Sequence, residues 1–197
     1  MAKQAAKRPR RGPGRPRSQD ADRAIHAAAL EALAGSGYAA LSIEGVAARA
    51  GVTRPTVYRR FAGKAELVTS AVAAAFETAN PAVPATGSAR EDVRILLANT
   101  IRMVRGTALG DVIRNLIPEL PRHPDLRGLA RGLLQDRRRL LRTAIERGVQ
   151  RRELRKDLDV ELSIDALLGA IYLRLLITGA PIADRLAGDL VAEILGV

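Results

Sequence analysis

The segment "TRPTVYRR" at residues 53–60 concentrates side chains that bind polyanions. Its threonine and tyrosine hydroxyls and its forked arginine guanidiniums are donors that bind phosphate oxygens, and arginine also reads the acceptors of guanine in a major groove. We therefore expect Arg54, Arg59 or Arg60 to read a base or hold phosphate. Tyr58 is expected to donate its hydroxyl to a backbone phosphate.

Two short helices joined by a tight turn are predicted to position these donors. Ser42 is a favourable N-cap for a helix that ends near Ala50. Gly51 can take the positive φ that the turn requires. Thr53 is then expected to cap a third helix that runs to about Phe61. This spacing is typical of a helix-turn-helix, whose second helix enters the major groove.

Proline and lysine fit the ends of the neighbouring helices. Pro55 falls in the first helical turn, where its missing N–H costs nothing, and it stiffens the end that would enter the groove. Val52 and Val57 are expected to lock the corner between the two helices. Lys64 opens a fourth helix, whose N-terminus favours phosphate.

Residues 20–67 resemble the DNA-binding domain of the TetR family of transcriptional repressors. The resemblance is carried by "IHAAALEALAGSGYAALSIEGVAARAGVTRPTVYRRFAGKAEL", in which the opening helix, the turn, "TVYRRF" and "GKAEL" follow in the family's order. It implies a homodimeric regulator, most often a repressor. Such a protein binds a palindromic double-stranded DNA operator through its N-terminal helices and leaves it when a small-molecule effector binds.

The first 19 residues form a basic arm, predicted to be disordered. They carry seven Lys or Arg and no acid, within a chain of net charge +11. The stretch "RGPGRPR" resembles an AT-hook core centred on Arg15, although Pro13 departs from that pattern. Insertion into an A·T-rich minor groove and a merely solvated tail both stay open. The candidate DNA-binding residues are Arg15, Arg17, Ser42, Thr53, Arg54, Pro55, Thr56, Tyr58, Arg59 and Lys64.

Composition favours an all-α protein and disfavours several functions. Apolar residues reach 47% but aromatic ones only 3%, so alanine and branched aliphatic residues must form the core. There is no cysteine, only two histidines on unrelated segments, no phosphate-binding loop and no nucleophile elbow. We therefore expect no metal site, no bound cofactor and no enzymatic activity. Without a membrane-spanning run, the prediction is a cytoplasmic protein.

Breaks in the apolar pattern predict about nine helices in two domains. Residues 1–19 are the arm, 20–66 the three-helix DNA-binding domain, and 67–197 a helical bundle for ligand binding and dimerisation. "NPAVPATGS" at 80–88 is a linker. Helices are expected at about 89–105, 108–118, 125–151, 159–178 and 182–195. The arginines of 127–157 could form a second nucleic-acid surface, but interspersed acids favour a solvated face of an amphipathic helix.

Two groups of apolar residues in the bundle are assigned roles. A pocket for an unknown, fairly apolar effector is predicted, although the same residues could simply fill the core. The expected pocket residues are Leu96, Met103, Ile113, Leu116, Ile117, Leu134 and Tyr172. The last two helices should pair with their copies in a four-helix interface. The expected interface residues are Leu168, Ile171, Leu175, Ile182, Leu186, Leu190 and Ile194.

Two other classes of protein compete with a regulator. An architectural DNA-binding protein would rely on the arm, respond to no effector, and bind with a steep salt dependence and little preference for one palindrome. An all-helical enzyme would need a convergent acid–base pair in the bundle, and the sequence offers none.

Overall fold

The computed structural model describes residues 17–196, and every regular element in that range is helical. Short 3-10 (Ile117–Glu119) and π-helical (Arg174–Thr178) turns extend two of the helices. The prediction of an all-α chain with about nine helices is confirmed. The α-helices are α1 (Arg17–Ala40), α2 (Ile43–Arg49), α3 (Arg54–Tyr58), α4 (Lys64–Ala79), α5 (Ala89–Val104), α6 (Ala108–Leu116), α7 (Pro124–Gln150), α8 (Val160–Leu173) and α9 (Leu186–Leu195).

The first helix begins earlier than predicted. Residues 17–19 were assigned to the arm, but α1 already starts at Arg17. The last proline of the arm is Pro16, and none of the three residues after it opposes a helix. Near its other end, α1 is interrupted at Gly37, whose φ of 75° is non-helical. Tyr38, directly after the break, is buried in the core.

Helices α1, α2 and α3 pack around a small aliphatic core. Ile25 and Leu33 of α1 are fully buried there, as is Val57 of α3, and Val46 of α2 is almost fully buried. Helix α3 ends at Tyr58 and not near Phe61. In the turn that follows, the Arg60 and Phe61 N–H groups share the Val57 carbonyl, at 2.9 and 3.0 Å.

Helix α4 joins this N-terminal unit to the bundle. It contacts α1 on one side and α5 and α7 on the other. Leu67 and Val68 are fully buried near its start, and Phe76 is buried near its end. The predicted domain boundary at residues 66 and 67 therefore falls inside one continuous helix. A displacement of α4 in the bundle must be felt by the N-terminal unit, because packed helices move as rigid elements.

A second contact docks the N-terminal unit on the bundle through α6. The Asn115 side-chain amide donates to the carbonyls of Leu33 (3.0 Å) and Ala34 (3.3 Å) in α1. The Tyr38 ring packs edge-on against His123 with centroids 4.9 Å apart. These contacts fasten the end of α1 to α6 and to the segment that precedes α7.

The amphipathic interpretation of α7 holds only in part. Leu141 and Ile145 are buried, but Leu129 and Leu134 are 42% and 39% exposed. On the polar side, Arg138 and Arg142 bond to Glu161 of α8 at 2.7 and 2.6 Å, and the Arg142 and Arg138 guanidiniums lower the pKa of that carboxyl to about 2. These arginines thus tie α7 to α8.

The last helix is shorter than its apolar pattern suggested. Residues 182–185 were predicted to be helical, but α9 begins at Leu186. Arg105 holds this segment against the end of α5, since it bonds the Ile182 carbonyl at 3.3 Å and the Asp184 carboxylate at 2.7 Å. The Arg105 side chain thus binds residues that were expected to form the first turn of α9.

Candidate nucleic-acid interface

Local hydrogen bonds build the helix-turn-helix as the sequence predicted. The Ser42 Oγ caps α2 by accepting from the Gly45 N–H at 3.1 Å. Gly51 takes a φ of 66° in the turn, and the Val52 N–H bonds the Ala47 carbonyl at 3.0 Å. Because any other residue would be strained at this φ, Gly51 fixes the angle at which α3 leaves α2.

One face of α3 carries the exposed donors. Arg54, Pro55, Tyr58 and Arg59 are exposed, whereas Val57 is fully buried on the opposite side. Tyr58 is 45% exposed, although an aromatic side chain next to an apolar core is usually buried in that core. A polar face of this kind on a short helix matches the part of a helix-turn-helix that meets base edges and phosphates.

Side chains on this face are already connected to one another. The Thr53 and Thr56 hydroxyls lie 2.9 Å apart, and Arg59 donates to the Thr56 hydroxyl at 3.2 Å. Thr53 occupies the N-cap position but makes no side-chain bond to the helix backbone, which corrects its predicted capping role. Its hydroxyl bonds Thr56 instead. Exposed Thr53 and half-buried Thr56 therefore form a hydroxyl pair beside Arg59.

Arg54 is held by an acidic side chain of α2. Its Nε bonds the Glu44 carboxylate of α2 at 2.8 Å, and its guanidinium lies 5.3 Å from the centre of the Tyr58 ring. A DNA contact by Arg54 must therefore compete with Glu44. Arg59 has no acidic side chain within 4.0 Å in the described residues, so its charge is free to meet a phosphate or a base.

Arg60 does not belong to the exposed face, although its spacing had made it a third candidate. It pairs with Asp22 of α1 and donates to the Thr56 carbonyl at 3.0 Å. Its side chain is only 22% exposed. These contacts fasten α3 to α1 and indicate a structural role.

We expect Arg60→Gln to destabilise the domain by about 1 kcal/mol, because it removes a half-buried, charge-assisted contact between two helices. Thermal unfolding of the full chain measures the effect, and a double-mutant cycle with Asp22→Asn isolates the coupling. The DNA sequence preference of the folded variant should be unchanged. A changed preference with full stability would instead make Arg60 a base reader.

Lys64 is partly engaged within the protein. Its ammonium donates to the Ala39 carbonyl at 3.1 Å and lies 4.4 Å from the centre of the Tyr38 ring. Burial lowers the Lys64 pKa, and nearby Glu119 opposes that shift. An ammonium has three N–H donors, so Lys64 can still bind a phosphate while it bonds Ala39. That phosphate contact stays a prediction. Arg15 lies outside the described residues, as does the side chain of Arg17.

The structure brings only one of the predicted pocket residues to a cavity. A cavity of about 260 Å³ lies among α4, α5, α7 and α8, and Leu96 is part of its wall. The predicted residues of α6 are elsewhere: Ile113 and Leu116 are buried close to α1. Leu134 and Ile117 are 39% and 37% exposed. Half-buried Met103 packs on the core outside the cavity wall.

Other residues form most of the cavity wall. Phe76 of α4, Leu140 of α7 and Leu168 of α8 contribute apolar surface, and Arg137 of α7 contributes a charge. Tyr172 lies beside the Arg137 guanidinium. The inward position of Arg137 could have been predicted from its spacing in the sequence. Arg137 stands four residues from both Leu133 and Leu141, on the face of α7 that turns inward.

Most of the predicted dimer-interface residues belong to the protomer's own core. Leu168, Ile171, Leu175 and Leu186 are at most 8% exposed, so they cannot meet a second chain without opening the bundle. Ile182, Leu190 and Ile194 are half-buried against the same core. The exposed apolar surface of α8 lies on its other face, where Leu162, Leu173 and the following Ile177 are 65%, 51% and 77% exposed.

The described residues offer few features of other functional classes. Within residues 17–196, no three His, Asp or Glu side chains cluster as ligands of a metal ion would. No helix of this part of the chain is long and apolar enough to cross a bilayer.

An exposed, arginine-bearing second helix of a helix-turn-helix, carried on an all-helical bundle, defines a DNA-binding transcription regulator. The family described as "Bacterial regulatory proteins, tetR family" matches residues 25–71, and "Tetracyclin repressor-like, C-terminal domain" matches residues 83–194. The chain belongs to the TetR family of transcriptional regulators.

Relatives match over nearly the whole chain. The uncharacterized HTH-type transcriptional regulator YdeS of Bacillus subtilis is 35% identical over 90% of this chain and 89% of its own. The DNA-binding transcriptional repressor TetR of Mycobacteroides abscessus is 32% identical over 91% of this chain and 94% of its own. Among solved structures, the TetR family transcription regulator SCO0332 superposes with a TM-score of 0.74 at 31% identity, covering 91% and 99% of the two chains.

Proposed function

We propose that the protein is a homodimeric repressor that binds a palindromic operator in the cytoplasm and leaves it when a small-molecule effector binds. It acts by binding and not by catalysis. The observation that carries this proposal is the position of α4. Its first residue, Lys64, contacts the N-terminal unit through the Ala39 carbonyl, and Phe76 near its other end lines the cavity.

An effector in the cavity acts on the reading helices through α4. A molecule seated against Phe76 displaces α4, and the buried contacts of Leu67 and Val68 carry the displacement to α1. In a dimer this changes the separation of the two α3 helices. Since half-sites must lie about one helical turn of DNA apart, roughly 34 Å, a changed separation lowers operator affinity.

The proposed dimer interface is the exposed apolar face of α8. Leu162, Ala166, Gly169 and Leu173 are exposed at spacings of four, three and four residues, and Ile177 continues the row. This is the spacing of a seam between packed helices, and small residues at its centre allow close approach. The seam differs from the set of residues predicted from sequence, but it lies on the first of the two helices that were expected to form the interface.

Selection of bound sequences from a random DNA pool, with the full chain at physiological salt, tests this function. We expect a palindromic consensus with two half-sites about 10 base pairs apart. An architectural protein would instead enrich no palindrome, and its affinity would fall steeply with salt for every sequence alike. That outcome would overturn the repressor proposal.

A further inference from the structure

Arg137 is the one arginine of the run 137–139 that has no acidic partner in the described residues. Arg138 pairs with Glu161 and Asp165 of α8, and Arg139 lies 3.8 Å from Asp136. Arg137 instead lies with its guanidinium over the face of the Phe76 ring. Its charge is therefore placed at the cavity wall, over an aromatic face and beside the Tyr172 side chain.

Both apolar and polar side chains surround Arg137. Leu96, Leu140 and Leu168 give the cavity wall apolar surface, and Asn80 and Thr100 add polar groups. Withdrawal from water lowers the Arg137 pKa to about 10, and neighbouring Tyr172 opposes part of that shift. A group with this pKa is still protonated at neutral pH, so the cavity holds a positive charge. Arg137 is half-buried, and a charge partly withdrawn from water without an anion beside it is costly, so the site is complementary to an anion.

The acids of the cavity wall do not supply that anion. Glu77 is exposed on α4, and Asp136 is exposed and engaged by Arg139. Neither carboxylate comes within 4.0 Å of the Arg137 guanidinium.

We propose that the effector is an apolar monocarboxylate whose carboxylate pairs with Arg137 while its hydrocarbon part fills the leucine-lined cavity. The planar guanidinium can hold a carboxylate through two parallel hydrogen bonds. The volume of about 260 Å³ favours a chain of medium length, because sites for drug-sized ligands start at about 300 Å³. This inference rests on the proposed function, since it identifies the chemistry of the effector in the same cavity.

Calorimetric titration of the full chain without DNA tests the site, with octanoate, octan-1-ol and octylamine as matched probes. We expect octanoate to bind about 10- to 100-fold more tightly than octan-1-ol, the difference that a charged hydrogen-bonded pair supplies. Equal affinities, no binding of octanoate, or preference for octylamine, which Glu77 and Asp136 would attract, would each overturn the proposal.

A variant pair locates the interaction. Arg137→Gln should abolish the preference for octanoate over octan-1-ol, whereas Arg131→Gln, at an exposed arginine of α7 that does not line the cavity, should retain it. Retention of the preference in Arg137→Gln would contradict the assignment. Operator binding by the unliganded variants shows that they are folded, and the wild-type comparison of the three probes needs no variant at all.

Failure of the site and failure of the proposed function give different results. If octanoate binds with the expected preference but leaves operator affinity unchanged, the carboxylate site at Arg137 is supported. The proposal that an effector releases the protein from its operator is then contradicted. If operator binding proves palindromic but octanoate does not bind, the regulator stands and the carboxylate site does not.

Discussion

Arg59→Ala is expected to weaken operator binding by about 30-fold or more. Each arginine contact to a base or phosphate contributes about 1–3 kcal/mol, and a dimer loses two of them. Arg59 is the strongest candidate because its guanidinium is exposed on α3 and free of acids within 4.0 Å in the described residues. Fluorescence anisotropy with the selected operator at fixed salt measures the loss.

The same variant decides whether Arg59 reads a base or holds a phosphate. Loss of a base contact relaxes the sequence preference at one position of each half-site. Loss of a phosphate contact weakens binding to all sequences alike and reduces the salt slope by about one per arginine removed. The two outcomes are separated by titrating operator and scrambled DNA over a range of salt.

Arg155→Ala is a matched control for this measurement. Arg155 is also exposed but lies between α7 and α8, so its removal lowers the net charge equally without touching α3. It should change operator affinity little. Equal losses for Arg155→Ala and Arg59→Ala would show that net charge alone governs binding, which would contradict the role of the α3 face.

The double substitution Leu173→Glu with Ile177→Glu is expected to convert the dimer to a monomer. Both side chains are more than half exposed in the protomer, so the change leaves its core intact. In the dimer, the new carboxylates would be buried without partners and would face like charges. Sedimentation velocity should therefore show a monomer at micromolar concentration.

Operator affinity should fall with the dimer, by about 100-fold or more. Two linked reading heads gain from a high effective concentration at the second half-site, and separate protomers lose that gain. Leu129→Glu with Leu134→Glu is the matched control, because both leucines are exposed on α7 and neither belongs to the seam. A dimer that survives substitution of Leu173 and Ile177 would rule out the α8 face as the interface.

The helix-turn-helix could be predicted because its signals are local. The Ser42 cap, the turn at Gly51 and the buried Val57 depend on contacts within a few residues, and each lies where the sequence placed it. Capping and glycine conformation are properties of short segments. For the same reason, the start of α3 was placed to within one residue.

The roles of individual arginines could not be predicted from local pattern. Arg54 and Arg60 lie in the same short basic segment, yet Arg54 meets Glu44 of α2 and Arg60 meets Asp22 of α1. Each partner comes from another helix. Whether a guanidinium is free or engaged is therefore settled only when the helices pack.

The apolar residues of α8 show the same limit. The helix carries two apolar faces, one with Leu168 and Ile171 and one with Leu162 and Leu173. Sequence periodicity identifies both faces but does not tell which one the rest of the bundle covers. The sequence-based prediction placed the dimer-interface residues of α8 on the face that the protomer itself buries.

The sequence by itself determined the helical class, the reading helix and the basic N-terminal end, because composition, caps and charge are carried by short segments of chain. Only the tertiary structure decided which arginines stay free, which face of α8 is left exposed, and that Arg137 and Phe76 line one cavity. These properties depend on which helices become neighbours. The packing of the helices minimises buried charge and exposed apolar surface over the whole chain at once. It therefore cannot be predicted from any single short segment.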